Sequence, residues 1–192
     1  AIGVLYFIYT FVEGHAYLLP GIAERPVVDL QIQWKACGTM VGSFNFLMYG
    51  SLIYVSEKVT GNKEYAHSRL GFALFGVGAL NSFTNYAHHT YHLPQHELIK
   101  WIAFIVSMLE VLILLRVILD VVKMVRLRSR RDCVGSFLNS SKWWTLGLLP
   151  VSILISIPPL NTFIHGTQVV MGRGMGAELG IDPMVLLGTS AY

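Results

Sequence analysis

Read for its hydrophobic pattern, the chain is a series of long apolar stretches separated by short polar links. A helix that crosses a membrane needs about 20 mostly apolar residues. Six stretches qualify, at 1–22, 34–56, 69–93, 98–124, 143–164 and 168–191. The expected fold class is an all-α integral membrane protein, with 1–192 forming a single transmembrane helical domain. Two stretches depart from the plain pattern: Pro150, Pro158 and Pro159 interrupt the fifth, and Glu178, Asp182 and several glycines dilute the sixth. Kinks are tolerated inside a membrane where neighbouring helices or water satisfy the freed backbone groups. Small residues four apart, as in Gly38/Gly42, Gly172/Gly176 and Gly176/Gly180, let helices approach closely. Trp34, Trp101, Trp143 and Trp144 fall at the expected helix ends, as an aromatic belt requires.

Composition agrees. The chain is 54% hydrophobic and 13% charged, against about a quarter charged in soluble domains, and its mean hydropathy is +0.55. The net charge of +3 is small, so its placement carries more meaning than its size. Lys58, Lys63, Arg69, Lys123, Arg126, Arg128, Arg130, Arg131 and Lys142 follow the second and fourth stretches; only Arg25, Lys35 and Lys100 follow the first and third. The positive-inside rule then makes 57–69 and 123–142 cytoplasmic. The Arg126–Arg131 run reads first as that topology signal and second as a lipid-headgroup or partner site. Cys37 and Cys133 fall near opposite membrane faces, which rules out a disulfide, and no CxxC spacing exists. Gly172–Gly176 follows no strand of a βαβ unit, so a nucleotide loop is not expected, and nothing points to nucleic acid. Ala1 already lies inside an apolar run, without the pattern of a signal peptide. The expectation is of a sequence lacking an N-terminal portion.

Chemistry concentrates in Asn81–His92, at the end of the third stretch, which carries His88, His89, His92, Asn85, Tyr86 and Tyr91. Under the charge rule this end faces outward. Ionisable groups at membrane depth mark interiors and cavities, and histidine is the commonest side-chain metal ligand. His88 and His89 leave a helix about 100° apart, so both reach one ion only if it sits between those directions. His92 shares the His88 face. A bis-imidazole site suits Cu, Fe or Zn; the plainer reading is an interfacial cluster bonded to water and Tyr91. Glu110 sits mid-stretch, where a carboxyl is either a proton-relay member or a buried hydrogen-bonder. Arg116 and Asp120 form an i,i+4 pair. Glu13 and His15, two apart, cannot share a helix face. Together with His165 and Asp182 they suggest a polar interior.

Taken as a set, these segments resemble the large, catalytic subunit of bacterial nitric oxide reductases, within the haem–copper oxidase superfamily. Tyr54-Val-Ser-Glu-Lys-Val-Thr-Gly61 resembles the exit of that family's sixth helix, and His88-His89 resemble the paired histidines of the seventh that bind the non-haem metal. Ser107-Met-Leu-Glu110 resembles the glutamate motif of the eighth helix, beside the active site. Phe163–Gln168 and Gly176–Leu187 resemble the segments around the haem-bearing tenth. The similarity covers nearly all 192 residues and corresponds to the middle helices of the family's bundle.

The resemblance also brings departures. Aligned without gaps to the histidine pair, Cys37 stands at the third metal histidine, Val41 at the non-haem iron's carboxylate and Asn45 at a second glutamate. Phe11-Val-Glu-Gly14 matches the family's Val-Glu-Gly motif in letters but lies one helix too early. Arg173 stands at the high-spin haem histidine and Met175 at a low-spin ligand. Arginine offers no lone pair and cannot replace an axial histidine. Methionine can ligate haem iron, but its partner would lie upstream of Ala1.

The function implied is a membrane subunit of a respiratory complex in the bacterial inner membrane that kept the fold and lost its haems. Its expected partners are the bilayer and other membrane subunits, including a cytochrome c-type subunit. The alternative is a working reductase of NO or oxygen with one non-haem Fe or Cu at His88, His89 and Cys37, and Glu13, Glu110 or Asp182 supplying protons. A transport or quinone-interacting module is the third reading.

Overall fold

The computed structural model of the chain describes residues 1–84, 89–128 and 133–192, with backbone alone at 127 and 128. Every regular element among them is helical, and none is a strand. The helices are α1 (Ile2–Gly14), α2 (Pro26–Thr60), α3 (Arg69–Thr84), α4 (Glu97–Arg128), α5 (Cys133–Ser156), α6 (Pro158–Ile164), α7 (Gln168–Gly176) and α8 (Asp182–Ser190). A π turn, Ala177–Ile181, joins the last two.

Two of these are long and apolar enough to cross a membrane, α2 and the Glu97–Arg126 part of α4. A third span exists if α5 and α6, bent by 94° at their junction, count as one broken crossing. The other three expected spans are not single long helices among the described residues. The first stops at Gly14, gives one 3₁₀ turn at Ala16–Leu18, and breaks up around Pro20 and Gly21 (φ 81°). Its 13 residues reach about 20 Å, short of the hydrocarbon thickness of about 30 Å. The third is α3, 16 residues before the undescribed 85–88. The sixth is divided into α7, the π turn and α8, with Pro183 at the start of α8.

α2 and α5 run furthest beyond the limits that apolar windows suggest. α2 starts at Pro26, where proline's missing N–H costs nothing in the first turn, and ends on left-handed Gly61 (φ 73°). Its 35 residues reach about 52 Å, so Lys35, expected in an outer link, lies inside the helix. α5 starts at Cys133, so the tail of the expected 123–142 link is helical. Trp143 and Trp144 consequently sit inside α5 rather than at its end.

The core lies where α2, α3, α4 and α5 meet. Met48, Leu52 and Val55 of α2 pack with Leu74, with Val117, Ile118, Val121 and Val125 of α4, and with Val134, Leu138 and Val185. The α4 positions recur at three- and four-residue intervals, one face of a helix. The opposite surfaces are apolar too: Leu5, Ile8 and Phe11 of α1, Phe72 of α3 and Ile105 of α4 all point outward. An apolar exterior around a core containing buried Ser, Thr, Asn and Glu is what lipid as solvent selects.

Candidate functional site

Three polar clusters interrupt the apolar packing, and α2 contributes to each. The deepest surrounds Glu110 of α4, which is 4% exposed. Tyr49 donates its hydroxyl to Oε1, and Asn81 of α3 donates its amide to Oε2. Asn45, one turn before Tyr49, donates to Oε1 at 3.5 Å. Ser107 in turn donates to Asn81 Oδ1 at 2.8 Å. Gly78 makes the room: a Cβ there would lie 3.1 Å from both Glu110 Oε1 and the Tyr49 ring. Two helices thus aim neutral donors at a carboxyl group carried by a third, and no salt bridge to it is formed among the described residues. Such an arrangement suits either a fixed structural knot or a group that exchanges protons with its donors.

The second cluster joins α1 to α2. Lys35 pairs with Glu13 at 2.5 Å. Tyr9 donates to Glu13 Oε1 at 3.3 Å and Thr39 to Oε2 at 3.4 Å, while the Lys35 ammonium lies 4.6 Å from the centre of the Tyr9 ring. Lys35→Met is expected to lower stability by about 2 kcal/mol, less than for a fully buried pair because both side chains keep some exposure. Lys35→Met with Glu13→Gln should recover all but about 1 kcal/mol, since no charge is left stranded. Thermal denaturation in detergent measures both, and equal losses in the single and double variants would contradict the pairing.

The third cluster collects imidazoles and an indole. His89 stacks on Trp34 with ring centroids 5.3 Å apart and planes at 11°. His165, in the link between α6 and α7, meets the Trp34 ring edge-on at 6.2 Å and the His92 ring at 4.3 Å. Burial first, and His92 second, hold the His165 pKa below the ordinary imidazole value. On the other side of the bundle, burial and then the Asp120 carboxylate push the Tyr65 phenol up to about 12, so it stays neutral at physiological pH.

The expected site residues distribute unevenly over these clusters. Glu110 is the hub of the first and His89 belongs to the third, whereas His88 lies outside the described residues. Cys37, a half-buried free thiol, is one turn beyond Trp34 on α2. No group of three His, Cys, Asp or Glu side chains able to hold a metal is found among the described residues. Asn45 has become a donor to Glu110, and Arg173 gives its Nε–H to Ser152 at 3.1 Å. Met175 is exposed. Arg116 and Asp120 form their i,i+4 pair at 3.2 Å. The sequence does not single out Tyr49, and it marks Ser107 and Lys35 only as part of a motif and as a charge, not as partners of Asn81 and Glu13. Tyr49 lies four residues after Asn45 and Ser107 three before Glu110, so helical spacing was the available signal.

No protein-family model matches the chain. The chain is 22% identical to a nitric oxide reductase subunit of Stutzerimonas stutzeri over 159 residues, 79% of this chain and 33% of that protein. It therefore matches about a third of the length of that curated relative. Helices able to span a bilayer and this likeness together describe a helical membrane protein distantly related to that nitric oxide reductase subunit.

Proposed function

We propose that the chain is a membrane subunit of the nitric oxide reductase kind that has lost its haem sites and serves a respiratory complex structurally. The observation that carries this reading is Arg173. It stands at the place of an axial histidine, offers no lone pair, and has its Nε–H engaged by Ser152. Met175, at the other ligand place, is exposed. The residues present do not fit a haem. Asn45 supports the same reading, because the second family glutamate is replaced by a donor used up on Glu110.

On this proposal α1, α3 and the broken α7–α8 segment complete a six-crossing bundle with neighbouring helices or subunits. The bundle belongs in the bacterial inner membrane, with the His88–His89 end outward and 57–69 and 123–142 inward. A cytochrome c-type subunit is among the partners proposed. The Glu110 cluster then acts as the knot that fixes α2, α3 and α4 in register.

The rival reading keeps a single non-haem Fe or Cu at His88, His89 and Cys37. One observation favours it: His89 packs against Trp34, which precedes Cys37 by one helical turn. The optical spectrum and elemental analysis of the chain, purified with its native partners, separate the two. We expect no haem. Stoichiometric haem bound to this chain overturns the proposal; about one Fe or Cu without haem, lost on His88→Ala/His89→Ala, selects the rival.

A further inference from the structure

His92 and His165 belong to neither reading, and their spacing is close to that of two imidazoles on one ion. They come from distant parts of the chain, the turn after His89 and the link between α6 and α7. Their ring centroids lie 4.3 Å apart with planes tilted by 31°. Metal–nitrogen bonds of about 2.0–2.1 Å place two cis imidazole centroids roughly 4.5–5 Å apart. The observed centroid spacing is therefore within a few tenths of an ångström of that of two imidazoles on one ion. His165 Nδ1 is also buried and has no hydrogen-bond partner among the described residues. A buried ring nitrogen left that way is costly, and an ion or ordered water bonded to it is the ordinary explanation. Simple ring packing accounts for the contact but not for the orphaned nitrogen. Trp34, edge-on to His165, limits that ring's movement. His92 is exposed, which leaves an entry path.

We propose that His92 and His165, rather than His88 and His89, form a two-imidazole site for a divalent transition-metal ion of the copper–zinc class. Imidazole nitrogen suits these borderline ions and disfavours Mg²⁺ and Ca²⁺, which prefer oxygen. No third His, Cys, Asp or Glu joins the pair among the described residues. The ion would tie the chain after α3 to the bend that follows α6. The proposal does not depend on the haem-loss reading, because its residues are not at the haem or histidine-pair positions.

The test uses the full chain, purified in detergent without a histidine tag, stripped with chelator and given Cu²⁺ in increments. Electron paramagnetic resonance counts coordinated nitrogens, and titration gives the affinity. One Cu²⁺ with two imidazole nitrogens is expected, and it persists in His88→Ala/His89→Ala. In His92→Ala and His165→Ala the affinity should fall by about tenfold or more, since loss of even an outer partner of a metal ligand costs that much. If His165→Ala does not fold, His165→Gln keeps the side chain's bulk and polarity and serves in its place. Binding that vanishes in His88→Ala/His89→Ala and survives in His92→Ala and His165→Gln overturns the proposal. So does a spectrum lacking nitrogen couplings, which marks adventitious copper only.

Discussion

Asn81→Leu is expected to destabilise the detergent-solubilised chain by about 2–3 kcal/mol. Asn81 both donates to Glu110 and accepts from Ser107, and all three are buried. Leucine keeps the branch at Cγ and is larger rather than smaller, so no cavity term enters. The loss is that of a donor to a buried carboxyl together with an acceptor for a buried hydroxyl. Tyr49→Phe should cost less, about 1–2 kcal/mol, because Asn45 and Asn81 still hold Glu110. The decisive comparison is Asn81→Leu with Glu110→Leu. Removing both members of a buried polar pair is far cheaper than stranding one, but Glu110→Leu also strands the Tyr49 hydroxyl and the Asn45 amide, so Asn81→Leu/Glu110→Leu should regain stability only when Tyr49→Phe is added. Thermal melts in one detergent give these values. A melt of Asn81→Leu within about 0.5 kcal/mol of the parent, the usual size of a neutral surface change, would mean that Glu110 is held by other groups.

That hub is half legible in the sequence. Glu110 and Asn81 stand out because a lipid-facing helix has no use for them, and Asn45 stands out by its place in the resemblance. Tyr49 and Ser107 do not, because tyrosine and serine occur widely in membrane helices and only their three-dimensional register makes them donors. The pairing of Lys35 with Glu13 is hidden for a different reason. A window of apolar residues marks where lipid can be, not where a helix ends, and polar residues such as those between Pro26 and Gln33 continue a helix at small cost. For the same reason Trp143 and Trp144 lie within a helix where an end was expected, since α5 begins ten residues earlier than the apolar stretch. Breaks are more readable than starts. Pro158 and Pro159 coincide with the 94° bend, while the end of α1 at Gly14 has only Gly14, Pro20 and Gly21 nearby to announce it.

The close approach of α2 and α3 carries the second large effect. A Cβ at Gly42 would run into Ser82 Oγ and lie 3.1 Å from Ser82 Cβ. The serine cannot simply turn away, because its hydroxyl donates to the Gly78 carbonyl at 2.9 Å. Gly42→Ala should therefore cost about 1–3 kcal/mol, the range for overfilling a packed interior, although alanine is otherwise the better helix former by about 1 kcal/mol. Gly42→Val should cost more. Exchanging which helix carries the small residue, in Gly42→Ala/Ser82→Gly, relieves the overlap and should recover about 1 kcal/mol relative to Gly42→Ala, net of glycine's own penalty. The neighbouring chemistry gives an independent readout. Asn81 precedes Ser82, so a forced outward shift of α3 loosens Asn81 from Glu110, and Tyr49→Phe and Gly42→Ala should then be non-additive by about 0.5–1 kcal/mol. Strict additivity, with no rescue by Ser82→Gly, would show that α2 and α3 have slack at the glycine, and that the Glu110 cluster fixes their register alone.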